Sequence, residues 1–189
     1  MFKLNKKIKY AIGSLAVVLT LSGCGSNEPD VYVNPEFEGA PDWVQLPYVK
    51  GKIAEMGSAP ANKMNDFGFQ RELALANARN NLAKRLNVKV KSMFKTYSSQ
   101  TSANDGTFDM TAESVSKQIT KQSLSGTSQH SSWMSKSGTL YVLVTIDPKS
   151  VSDLMEQNAK SSYGNDTAAY QRFLAAKAQG ELDKELTKR

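Results

Sequence analysis

The stretch FQRELALANARNNLAKRL, residues 69–86, decides how this chain is read. Phe69, Leu73, Leu75, Ala76, Leu82, Ala83 and Leu86 recur at the 3.6-residue period and cover a broad apolar arc, which predicts a helix packed on a core. Asp66, just ahead of it, is placed to cap the first turn. The segment that follows, VKVKSMFKTY at residues 88–97, switches to period two. Val88, Val90 and Phe94 fall on one side while Lys89, Lys91 and Lys95 mostly alternate on the other, which predicts a half-exposed strand with a basic face.

Toward the C-terminus, residues 98–107 read as a polar loop through Asn104-Asp105-Gly106, and residues 111–122 as a short helix with Val115 and Ile119 one turn apart. Residues 125–136 are Ser-rich and ambiguous. Ser137-Gly138 reads as a hairpin turn into a central strand, Thr139 to Ile146. Asp147-Pro148 supplies an N-cap and a proline at the first helical position, with Val151, Leu154 and Met155 as the buried side of the helix that follows. Tyr163-Gly164-Asn165 ends that helix. A last helix from about Thr167 carries Tyr170, Leu174, Ala178, Leu182 and Leu186 at every fourth position. Such a narrow stripe suits oblique docking, so the tail beyond Ser161 is expected to be removable without unfolding the rest.

Toward the N-terminus, Val49 to Ala59 reads as a first strand weakened by Gly51 and Gly57, and Pro41-Asp42-Trp43-Val44 opens the domain, with Trp43 as a plug at its edge. Residues 25–40 hold Glu28, Asp30, Glu36 and Glu38, two prolines and no base, the composition of an extended linker. Ahead of it lie a basic segment with Lys3, Lys6, Lys7 and Lys9, an apolar run from Ala11 to Leu21, and Leu21-Ser22-Gly23-Cys24. That is the layout of a secretory signal, and eleven apolar residues rise only about 16 Å as a helix, too short to span a bilayer.

The last four residues resemble the bacterial lipobox, which implies cleavage between Gly23 and Cys24 and lipidation of Cys24, the single cysteine. Two or three acyl chains, at about 0.8 kcal/mol per buried CH₂, hold a protein at a membrane firmly. Gly25 and Ser26, with no Asp after Cys24, resemble an outer-membrane destination. The expected organisation is therefore a signal peptide at 1–23, a lipidated Cys24 and flexible linker at 24–40, a domain at 41–160 and a helical tail at 161–189. The formal charge of +6, from 24 basic and 18 acidic residues, loses its weight as a nucleic-acid signal once the four signal-peptide lysines are set aside. Export also removes the chain from nucleic acid, so no nucleic-acid partner is expected.

Gly39-Ala40-Pro41-Asp42-Trp43-Val44, a Gly-containing strand, the helix with Ala76-Asn77-Ala78-Arg79-Asn80-Asn81-Leu82-Ala83, and Leu140-Tyr141-Val142-Leu143-Val144 before a helix together resemble the family of small lipoproteins named for the twenty-kilodalton Helicobacter surface lipoprotein. The flagellar lipoprotein FlgP is of that family. The resemblance covers about residues 39–158 and implies an α+β domain, with helices packed on one face of a small antiparallel sheet. It also implies an outer-membrane or surface location and, in some members, a structural role in the flagellar basal apparatus. It carries over no catalytic residues.

Catalytic and metal readings find little to stand on. His130 is the single imidazole and sits among serines with no acid nearby in sequence. Zinc chemistry wants clustered His, Cys and carboxylate, and the one Cys is the lipidation site. The chain has neither GxGxxG nor a phosphate-binding Walker loop. No catalytic residue, metal or cofactor is expected. Arg79 falls at a flank of the helical arc, where it snorkels, pairs with a carboxylate such as Glu72, or faces a partner. The expectation is a non-enzymatic, lipid-anchored envelope protein with a structural or assembly role, working through protein partners or self-association. The alternative is a module that binds an anionic envelope polymer or lipid through Lys89, Lys91 and Lys95.

Overall fold

The apolar run Leu140–Ile146 forms a strand buried at every position. It is the centre of a three-stranded antiparallel sheet: β1 is Ile53–Ala59, β2 Ser128–Met134 and β3 Leu140–Ile146, in the order β1-β3-β2. The computed structural model describes residues 34–97, 106–164 and 166–188. Among the described residues five α-helices accompany the sheet: α1 (Phe67–Tyr97), α2 (Gly106–Leu124), α3 (Pro148–Tyr163), α4 (Thr167–Ala178) and α5 (Glu181–Thr187). The fold is the expected α+β arrangement of a small antiparallel sheet with helices and a C-terminal helix.

The turn chemistry acts as read. Gly138, at φ +85°, takes the left-handed position of the β2–β3 turn, where its N–H donates to Ser135 O at 3.0 Å. The Asp147 side chain accepts from the Lys149 N–H at 2.9 Å, so α3 opens with Pro148 behind its cap and closes at Gly164, φ +52°. Asp66 caps α1 by accepting from the Phe69 N–H at 3.0 Å.

Residues 88–97 are not a strand. They continue α1, which runs unbroken for 31 residues, about 46 Å. Its buried stripe is Gln70, Ala74, Ala78, Leu82, Leu86, Val90 and Phe94, each four residues from the last, and no Gly or Pro lies between Leu86 and Tyr97 to stop it. Steps of four drift about 40° around a helix, so the first half of the stripe faces the sheet and the second half turns toward the remaining helices. Phe69 and Leu73, expected inside, are 57% and 39% exposed. The sheet-facing positions are alanines instead, because β1 comes too near for larger side chains. A Cβ placed on Gly57 would lie 2.1 Å from the Ala78 backbone nitrogen and 2.5 Å from the Ala74 carbonyl.

The tail is two helices rather than one, broken at Gly180, φ +69°. Its buried residues are Ala169, Phe173, Ala176, Leu182 and Leu186, while Ala178 of the expected stripe is exposed. Phe173 stacks on Phe94 with centroids 5.8 Å apart and ring planes 13° from parallel, and edge contacts of Tyr163 with Phe94 and of Tyr97 with Phe173 close the cluster. The Tyr163 hydroxyl donates to Phe94 O at 3.2 Å, and burial pushes its ionisation far up. Phe94 and Phe173 are fully buried, each adding about 1.5–3 kcal/mol by transfer alone. The tail thus shares the core of α1.

The other face of the sheet is covered by a strap of chain from Asn34 to Val44. Residues 34–40, expected as linker, are docked here. Asn34 caps a short 3₁₀ turn, Phe37 lies 6.1 Å from the Tyr141 ring, Trp133 packs on Tyr141 at 5.4 Å, and Val44 is buried. The Tyr141 hydroxyl donates to the Glu36 carboxylate at 2.9 Å. Apolar contact and one buried hydroxyl override the linker-like composition, which describes the residues but not their partner 105 positions away.

Candidate functional site

β1 lies at one edge of the sheet, and α1 closes that edge with side chains. The amides of Asn77 and Asn81 donate to Ser58 O and Met56 O, each at 2.9 Å, and the Arg85 guanidinium donates to Ala54 O at 3.1 Å. Helical positions four apart meet strand positions two apart because four helical residues rise about 6 Å and two strand residues about 6.6 Å. Arg85 also pairs with Glu55 at 2.9 Å, with both side chains mostly buried. Gln70, itself buried, donates to Ala59 O and Gly138 O and ties β1 to the β2–β3 turn.

The alternation of an antiparallel ladder then fixes the other edge. Carbonyls of Ala54, Met56 and Ser58 point outward, so Ile53, Glu55, Gly57 and Ala59 bond to β3, and β3 turns Tyr141, Leu143 and Thr145 toward β2. Trp133 and Ser131 face inward, and Ser132 and Met134 offer their main-chain groups outward. The ladder shifts register between Gln129 and Ser131, a bulge at His130. Over this edge α1 extends Arg71, whose guanidinium donates to Gln129 Oε1 at 2.7 Å, and Arg79, whose Nε donates to Thr127 Oγ1 at 3.2 Å. Arg79 is therefore exposed beside β2 and hydrogen-bonded to a hydroxyl, not paired with Glu72. His130 is exposed on the edge strand, and Trp43 is half-buried in the strap next to buried Val44.

Lys89, Lys91 and Lys95 do not form one face. On a helix Lys91 and Lys95 lie about 40° apart and Lys89 well away on another flank. Lys89 donates to Glu185 O at 2.8 Å, and burial, with Arg85 close by, holds its ammonium below its ordinary value. Arg85 donates to Lys188 O at 3.0 Å, so two cations of α1 serve the carbonyls at the end of α5. Lys89 borders a groove of mixed charge that also holds Tyr97, Glu181, Lys184 and Lys188. Lys91 pairs with Glu113, whose carboxyl is held low by Lys91 and then by Lys117 at 3.0 Å. The basic row belongs to the strand reading, and the helix does not present the three lysines as one surface.

Gly23 and Cys24 lie outside the described residues. Among the described residues no three His, Cys, Asp or Glu side chains gather as metal ligands, and no helix is long and apolar enough to cross a membrane. Nothing in the sequence marks the Asn77/Asn81/Arg85 ladder beyond polar residues at i, i+4 and i+8. Nor does it mark Glu36, which meets Tyr141 only in three dimensions.

The family model described as LPP20 lipoprotein matches residues 41–147, more than half of the chain. That span takes in α1, α2 and the whole sheet. No curated protein matches the chain.

Proposed function

We propose, for a chain that belongs to the LPP20 lipoprotein family, a non-enzymatic role in the structure or assembly of the cell envelope, exercised from the outer membrane through an acylated Cys24. The observation that carries this reading is the family match. Its first matched residue, Pro41, lies seventeen positions after Cys24, the one cysteine of the chain. Acyl chains hold one end at the membrane, and the domain is thereby kept at high effective concentration around its neighbours. A link to the flagellar basal apparatus is the finer form of this reading and draws on the family resemblance.

The experiment is Cys24→Ser with mass spectrometry of the mature chain and membrane fractionation. The wild type is expected to start at Cys24 with acyl mass and to co-fractionate with outer membrane, and the variant to lose both. An unmodified thiol in the wild type, or a mature start elsewhere, overturns the anchor. Deletion combined with cross-linking and motility measurement then reads the assembly role: an unchanged envelope with no cross-linked neighbour removes it.

A further inference from the structure

The sheet's two edges are finished in opposite ways. On β1 three carbonyls are already taken by Asn77, Asn81 and Arg85. β2, SQHSSWM, carries no acid, Lys, Arg or Pro to blunt its edge; the bulge at His130 lies before Ser132, and no described residue bonds the outward main-chain groups of Ser132 and Met134. Met134 is 45% exposed. Beside this open edge stand Arg71 and Arg79, both exposed and bonded to neutral oxygens, with no carboxylate partner among the described residues.

We propose that the β2 edge takes up an extended acidic segment of a partner protein as a fourth strand, its main chain pairing with Ser132 and Met134 and its carboxylates meeting Arg71 and Arg79. Main-chain bonding of this kind supplies affinity, and alternate side chains supply choice. The spacing selects a pattern. Arg71 and Arg79 are eight residues apart on α1, about 12 Å between their backbone positions, and four residues of a strand span about 13 Å, so acids at i and i+4 fall on one face with the spacing at which the helix presents the two arginines. A carboxylate also answers a guanidinium better than a neutral oxygen does, since it adds opposite charge and can accept two parallel N–H bonds at once. A second copy is the poorer occupant: β2 against β2 brings no acid to the arginines and sets the guanidiniums of two copies against each other. The inference rests on the assembly reading and names the kind of partner it needs.

The test uses the full chain in detergent with two labelled nonapeptides, TVTEVTVET and its lysine counterpart TVTKVTVKT. The acidic peptide is expected to bind at least tenfold more tightly. Arg71→Glu and Arg79→Glu should each weaken it about tenfold, and amide hydrogen exchange at Ser132 and Met134 should slow on binding. Ser132→Pro, which removes one outward N–H, should abolish it; the two arginine variants, at exposed side chains, keep the test independent of whether that proline is tolerated. Four results overturn the proposal: no binding at millimolar peptide, equal binding of the lysine peptide, slowed exchange elsewhere only, or pairing of the chain with itself that the peptide does not displace. Cys24→Ser leaves all of these readings unchanged, so failure here and failure of the anchor are told apart.

Discussion

At Gly57 a single hydrogen atom stands where any other residue has a carbon, and that decides how closely α1 lies on the sheet. Gly57→Ala forces its Cβ onto the Ala78 nitrogen and Cα and the Ala74 carbonyl. Those are backbone atoms that cannot rotate away, so the loss should reach or exceed about 3 kcal/mol, the upper end for overpacking, in denaturant unfolding. Ala78→Gly in the same chain should not restore it, because the atoms met are main chain. Glu36 is tested by pH. The hydroxyls of Ser137 and Ser135, and then of Tyr141, hold its carboxyl below the ordinary 4.5. The Tyr141 phenol is pushed up to about 12 by burial and by that carboxylate. A depressed carboxyl adds stability above its unfolded value and loses it as pH falls through the folded one. Melts of wild type against Glu36→Gln should therefore show a higher Tm for the wild type near neutral pH, with the gap closing below about pH 4. A gap that stays constant through that range would remove the ionic part of the strap's hold. Neither position could be read in sequence: Gly57 looked like a weak point in a strand, and Glu36 like one more acid in a linker.

Among elements, α1 and the tail separate what periodicity reveals from what it hides. Val90 and Phe94 are four apart and satisfy a helix, while Val88 and Val90 are two apart and satisfy a strand. Lys89 and Lys91 alternate, yet Lys95 sits one helical turn beyond Lys91. Burial of Met93 and Phe94 in line with Leu86 settles the matter in space. The tail's sequence stripe starts at Tyr170, whereas the helix is rotated so that Ala169, Phe173 and Ala176 face inward. Hence Phe173→Ala should cost about 3–5 kcal/mol, as for other fully buried aromatics. Removing everything after Ser161 should abolish the cooperative thermal transition rather than leave a stable domain, since it strips Phe173, Leu182 and Leu186 from the core around Phe94. A truncated chain that melts near the wild-type Tm would show that the tail is an accessory after all.

Over the whole molecule, legibility follows sequence distance. The β3 strand, its Gly138 turn and the Asp147-Pro148 start of α3 are each decided within a few residues, and all three stand in the structure. The open β2 edge, the closed β1 edge and the strap arise from partners 19 to 105 positions apart, which no local pattern encodes. Under the anchor proposed at Cys24, the strap acquires a mechanical meaning. Any pull arriving along the chain reaches the described domain first at Asn34 and is met by Phe37 on Tyr141, the Glu36–Tyr141 bond and buried Val44 before β1 or α1 feels it. These few contacts would be loaded one after another, so under that anchor the strap is expected to peel at lower force than the sheet behind it in a pulling experiment. It would then act as a shock absorber, releasing up to about 35 Å of chain if all eleven residues from Asn34 to Val44 are drawn straight.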